Sequence, residues 1–283
     1  MNRAIPMFDP VLQSMRPQTL CSGLTIRQDF RLSVRFVMFQ TEIEECLYAT
    51  DGGTLFLVSY RDRVYAVTCG HVVKNFELGQ LIITGKRYPL KGDKPAPIQG
   101  RYFPSSPEGA ATDSDILDIC IIDFKSEVKP SFFSDPAYII DDATICTSHN
   151  GHNLLISGCL KDQSAILEPD IAAGFAILEY QDGGAASFDP LLRSAVAEFA
   201  WPAFGRVTGL SGAPVYDVTA NALCGVVMRG TMTGRKSTIH FLDAFHIVEM
   251  LKMIDRNDAS TSYTRGVWQE IKLPLPLDLP QKR

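Results

Sequence analysis

Gly209-Leu210-Ser211-Gly212-Ala213-Pro214 runs directly into Val215-Tyr216-Asp217, a serine in a glycine-rich turn that opens onto an apolar strand. The residues after the serine decide the fold: a proline and a β-run, not the helix of a strand-serine-helix elbow. Glycines on both sides let the backbone take conformations closed to other residues, so the amides of Gly209 and Ser211 can converge on one point. A serine hydroxyl becomes a nucleophile only when a base takes its proton and donors hold the developing oxyanion. The turn offers such donors. Taken alone, it reads equally well as an ordinary β-turn that contains serine.

The base must come from elsewhere, and the histidines are His71, His149, His152, His240 and His246. His71 stands out in Val64-Tyr65-Ala66-Val67-Thr68-Cys69-Gly70-His71, where an apolar strand ends in a Gly-His turn that can hold a ring rigidly yet accessibly. His149 and His152 lie in a polar turn and read as solvated; no cysteine or carboxylate nearby completes a metal set with them. His240 and His246 flank a helical segment and read as packing or surface residues. The third member should be a carboxylate that orients the base and stabilises its charged form. Asp113, Asp115, Asp118 and Asp123 lie in one stretch, and an acidic cluster is also what a solubilised loop contains. Asp118 is preferred because it directly precedes the apolar run Ile119–Ile122, with Asp115 as the alternative.

Strand-length apolar runs recur along the chain: Leu32–Gln40, Thr54–Ser59, Val64–Thr68, Leu81–Thr84, Ile119–Phe124, Leu154–Ser157, Phe175–Tyr180, Val196–Phe199, Val215–Asp217 and Cys224–Met228. That rhythm belongs to barrels or sandwiches. Lys91–Ser114 and Asp182–Asp189, rich in Gly, Pro, Ser, Asp and Ala, read as surface loops. Leu242, Phe245, Val248 and Leu251 recur at helical spacing, with Asp243 placed to cap the start. Leu273–Pro280 alternates Leu and Pro and predicts an extended tail. A division near Lys129-Pro130-Ser131 separates two halves of similar strand content, and no repeat of solenoid period links them.

Composition narrows the function classes. With 46% apolar and 21% charged residues, the 283-residue chain has the profile of a globular protein. A net charge of −5 with scattered Lys and Arg gives no footprint for nucleic acid. No secretory h-region follows Arg3, and no apolar run is long enough to span a membrane. Seven cysteines without a C-x-x-C pair argue against a disulfide framework or zinc site, which predicts a cytoplasmic setting with no metal or cofactor.

In the order His, Asp, Ser, these segments resemble the trypsin-like serine protease family, and most of all its bacterial high-temperature-requirement branch. Gly53–Val58 with Ala66–Val73 resembles the first-barrel hairpin and histidine turn, Asp118–Ile122 the aspartate strand, and Gly209–Val215 the Gly-x-Ser-Gly-x-Pro turn. The likeness spans about Leu32 to Ile254 and is close only at these motifs, which stand 47 and 93 residues apart.

The resemblance implies an all-β fold: two packed Greek-key β-barrels, a C-terminal helix and an extended tail. The expected organisation is an N-terminal extension over 1–24, a first barrel over 25–130, a second over 131–239, a helix over 240–254 and a tail over 255–283. It implies a His71, Asp118 and Ser211 triad, with Gly209 and Ser211 as oxyanion donors and a protein or peptide as substrate. Gly205, Arg206, Thr208, Val226, Val227, Met228 and Arg229 would line the specificity pocket. The valines and Met228 favour a medium apolar residue before the scissile bond; Arg206 or Arg229 turned inward would favour an acidic one.

The chain departs from the pattern in having Val72 after the histidine and Ala213 where glycine is usual. It has no Ile-Val-Gly-Gly-like start, so any control of activity is expected to act through loop order or a regulatory partner, and it has too little sequence after the helix for a PDZ domain. The rival expectation is a non-catalytic module that keeps the fold to bind peptides.

Overall fold

The computed structural model describes residues 28–43, 46–49, 52–87, 93–104, 118–160, 165–167, 170–172, 175–189, 191–198, 208–256 and 269–271. In the first half, β1 (Val34–Phe36), β2 (Met38–Ile43), β3 (Cys46–Ala49), β4 (Thr54–Tyr60) and β5 (Arg63–Cys69) lead into a single helical turn, α1 (Gly70–Val73). Next in the chain are β6 (Leu81–Ile82), β7 (Ile98–Pro104), β8 (Ile119–Phe124) and β9 (Tyr138–Ile139). Hydrogen bonding runs β1-β4-β5-β8-β7 in one sheet and β3-β2-β6 in another.

These two sheets form one interrupted ring. Only Val37 separates β1 from β2, so a single bent segment serves both sheets. Beyond β6, the Ile83 carbonyl accepts the Ala96 amide at 2.7 Å, and Thr84 bridges Pro95 on the approach to β7. With β1 and β2 taken as one strand and the short β3 set aside, the order around the ring is first, second, third, sixth, fifth, fourth.

The second half repeats that order in a closed barrel. Its strands are β10 (Asn153–Cys159), β13 (Phe175–Ala185), β14 (Leu192–Glu198), β15 (Pro214–Asp217), β16 (Ala222–Thr233) and β17 (Lys236–Asp243), linked β10-β13-β14-β17-β16-β15. A small two-stranded sheet, β11 (Ala165–Leu167) with β12 (Asp170–Ala172), lies between the first two in chain order. The helix α2 (Ala244–Asp255) packs on β16, β17 and β8, and β18 (Gln269–Ile271) adds parallel to β7. Two Greek-key barrels and a C-terminal helix are therefore the architecture, as the sequence predicts.

Burial explains which strands are legible. β8 is buried at every position, which is why its sequence is apolar apart from Asp123. β13 instead buries alternate residues, Ala176, Leu178, Tyr180 and Asp182. α2 buries Ala244, Ile247, Val248, Met250, Leu251 and Ile254, and Asp243 caps it by accepting the Phe245 amide at 2.9 Å.

Three readings need correction. Ile98–Pro104, read as loop, is β7; its Gly100 and Pro104 imitate turn composition, while Tyr102 and Phe103 are buried. Asp182–Asp189 begins inside β13, where a bulge between Asp182 and Gly184 absorbs the glycines. Leu242 belongs to β17 and not to the helix; that strand is masked by its polar start, Lys236-Ser237-Thr238. The Leu273–Pro280 tail lies outside the described residues.

Candidate active site

His71 sits on the turn that ends β5. Gly70, just before it, faces Asp118 so closely that a Cβ there would lie 3.1 Å from both the Asp118 carbonyl and Oδ1. That approach lets one carboxylate hold the histidine twice. Oδ1 accepts the His71 backbone amide at 2.7 Å, and Oδ2 meets ring Nδ1 at 2.5 Å. A proton kept on Nδ1 leaves Nε2 with its lone pair free to act as base. The His71 side chain is 43% exposed, so the ring is accessible.

Of the other acids, Asp113 and Asp115 lie outside the described residues. Asp123 points away into a different partnership, with Arg63 Nη2 at 2.7 Å from Oδ1 and 3.0 Å from Oδ2. Burial nevertheless pushes the Asp123 carboxyl up to about 6, because Arg63 is partly solvated and offsets only some of the desolvation. The turn after His71 is supported from β7: Arg101 Nη1 donates to the Val73 carbonyl at 2.6 Å and to the Phe76 carbonyl at 2.8 Å.

The serine turn is held peptide by peptide. Gly209 and Gly212 have φ of 103° and 86°, conformations that L side chains rarely adopt. The Gly209 carbonyl accepts Thr54 Oγ1 at 2.7 Å, the Leu210 carbonyl accepts the Ala213 amide at 2.8 Å, and the Ser211 carbonyl accepts the Thr54 amide at 2.9 Å. The Gly212 amide donates to the Val227 carbonyl at 2.8 Å. That same carbonyl accepts the Cys69 thiol at 3.1 Å, from two residues before His71. The two turns are thus docked on one atom of β16. Among the described residues no hydrogen bond joins the Ser211 hydroxyl to the His71 ring.

Of the expected pocket residues, Gly205 and Arg206 lie outside the described residues, and Thr208 is exposed. Val226, Val227 and Met228 are buried; Arg229, the next residue on that strand, is exposed, with its guanidinium carbon 4.3 Å from the Phe188 ring centroid. His152 is not the solvated residue expected. Its Nδ1 lies 2.7 Å from Oδ2 of the buried Asp217, whose other oxygen accepts the Thr219 and Ala220 amides. His149 packs edge-on to it at 5.3 Å. His240 lies in β17, with Nδ1 3.0 Å from Ser194 Oγ, and burial lowers the pKa of His246.

Among the described residues, Cys69, Cys120, Cys146, Cys159 and Cys224 form no disulfide. Ligating atoms of Cys69, His71 and Asp118 lie within 4.8 Å of one another, a grouping that borrows the His-Asp pair and a thiol already engaged with Val227.

Sequence reasoning missed Thr54, Arg101 and Cys69. Thr54 carried one usable signal, its place directly after Gly52-Gly53 at a strand start; Arg101 was hidden inside the segment read as loop.

No protein-family model matches the chain, and no curated protein sequence matches it. Solved structures do. The scabies mite inactivated protease paralogue S-I1 aligns with TM-score 0.53 and 15% identity, over 83% of this chain and 99% of that one. The scabies mite inactivated protease paralogue S-D1 aligns with TM-score 0.52 and 11% identity, over 80% and 93%. A thermostable serine protease, AL20, from an extremophilic microorganism aligns with TM-score 0.45 and 12% identity, over 75% and 91%. At such identities the likeness is one of fold, and the fold is the two-barrel architecture of the trypsin-like serine proteases.

Proposed function

We propose that this chain is a serine endopeptidase in which Ser211 is the nucleophile, His71 the general base and Asp118 the group that orients it. The observation that carries this reading is the two-point hold of Asp118 on His71, on a turn that shares the Val227 carbonyl with the Ser211 turn. Ser211 Oγ attacks a peptide carbonyl, and its proton passes to His71 Nε2. The resulting imidazolium is stabilised by Asp118 and then protonates the leaving amine. Water, activated by the same nitrogen, releases the acyl group. The Gly209 and Ser211 amides receive the oxyanion, each donor contributing ~10²–10³ in rate.

A protein or peptide substrate is inferred from the motif resemblance to the high-temperature-requirement branch. A cytoplasmic setting is part of the same reading, supported by the five described cysteines that form no disulfide. A second reading, a peptide-binding module without catalysis, is favoured by the missing Ser211–His71 hydrogen bond. Such bonds often form only in the substrate complex, so the enzyme reading ranks first. A peptide library derived from a whole proteome, digested with wild type and with Ser211→Ala, separates the two. New termini with the wild type only support the enzyme; none with either favour the module.

A further inference from the structure

Thr54 is the residue through which the first barrel takes hold of the serine turn. It is completely buried, and each of its polar atoms is used. Its amide donates to the Ser211 carbonyl at 2.9 Å, and its hydroxyl donates to the Gly209 carbonyl at 2.7 Å. The hydroxyl oxygen accepts the Cys159 amide of β10 at 2.8 Å. The Thr54 carbonyl accepts Thr68 Oγ1 at 2.7 Å, three residues before His71.

The backbone bond alone would locate Ser211. The hydroxyl does something further: it fixes the Gly209–Leu210 peptide, the unit that separates the two amides expected to receive the oxyanion. With that carbonyl turned toward β4, rotation about Gly209 is restrained on its C-terminal side. Gly209 has φ of 103° and no side chain of its own to set its position. A buried hydroxyl that both donates and accepts also cannot be replaced by a methyl group without stranding two backbone groups, the Gly209 carbonyl and the Cys159 amide.

We propose that the Thr54 side chain is a positioning residue that sets the Gly209 half of the oxyanion site, so that the turn is competent only when the barrels are docked. The proposal rests on the endopeptidase reading. It assigns Thr54 no contact with substrate; the residue acts through Gly209.

The test compares Thr54→Val, which keeps the shape and removes the hydroxyl, with Thr54→Ser, which keeps the hydroxyl. On a peptide cleaved by the wild type, Thr54→Val is expected to lower kcat by ~10- to 100-fold with KM little changed, less than the loss of a whole oxyanion donor. Thr54→Ser is expected to recover most of that rate. Hydrogen exchange followed by mass spectrometry should show faster exchange in Thr54→Val confined to peptides covering Gly209–Ala213 and Asn153–Cys159. Thr54→Val with wild-type kcat and unchanged exchange overturns the proposal. So does a uniform rise in exchange across both barrels, which would make Thr54 a general stabiliser. If the wild type cleaves nothing, the endopeptidase reading fails instead, and local exchange at Gly209–Ala213 still decides whether Thr54 holds the turn.

Discussion

Replacing Gly212 with alanine tests the packing of the serine turn, and Gly151 supplies a matched control. The two glycines have nearly the same φ, 86° and 87°. An added Cβ at Gly151 meets nothing within 4 Å, whereas at Gly212 it would lie 2.0 Å from the Thr54 carbonyl oxygen and 2.5 Å from Thr68 Oγ1. Backbone strain is therefore common to both variants, and the contact belongs to one. A left-handed alanine costs ~1–2 kcal/mol, which is the whole expected loss for Gly151→Ala.

For Gly212→Ala, the Thr54 segment must also withdraw. That breaks the bonds from the Thr54 amide to Ser211, from Thr54 Oγ1 to Gly209 and from Thr68 Oγ1 to Thr54. At ~1 kcal/mol net for each, the further loss is about 3 kcal/mol and the total about 4–5 kcal/mol. Urea unfolding monitored by far-ultraviolet circular dichroism measures both variants against the wild type. Equal losses for the two would refute the claim that the turn is seated on Thr54 and Thr68.

Asp118→Asn should leave the unfolding midpoint nearly unchanged but lower kcat by ~10⁴, since an amide cannot hold His71 in the required tautomer; peptide hydrolysis measures it, and a loss under tenfold would count against Asp118. Arg101→Met should expose the dependence of the histidine turn on β7, because the Val73 and Phe76 carbonyls lose their donor, at ~1–3 kcal/mol by the same urea titration. Asp123 predicts a pH dependence. Its folded pKa of about 6 lies above the unfolded value of ~3.9, so the folded state binds this proton more tightly, and the group favours folding most below about pH 4. That contribution is lost as pH rises through 6. Asp123→Asn should therefore gain stability relative to wild type between pH 4 and 7, by ~1.4 kcal/mol for each pH unit that separates the two pKa values; a flat difference would contradict the assignment.

The sequence made the architecture legible where both faces of a strand are buried. β4, β5 and β8 are apolar almost throughout and read directly from composition. β7 and β17 did not, because each mixes inward aromatic or apolar residues with Gly, Pro, Lys or Ser that serve local needs. The site divided in the same way. Ser211 announces itself through a turn with glycines on both sides, His71 through a Gly-His turn at a strand end, and Asp118 by its place before an apolar run. Thr54 and Arg101 act by hydrogen bonds to backbone carbonyls distant in sequence, and such partners leave no mark in the pattern of side chains. His152 was misread for the related reason that its partner, Asp217, lies 65 residues away. Likewise the closure of the first barrel through Val37 and the Thr84–Pro95 bridge depends on register, which periodicity does not encode.

The central claim is that His71 activates Ser211 as a nucleophile. Its most direct test is labelling with a fluorophosphonate probe, with the modified peptide identified by mass spectrometry. One adduct is predicted, on Ser211, formed by the wild type and abolished in His71→Ala. An unlabelled wild type, or an adduct that persists in Ser211→Ala, would contradict it.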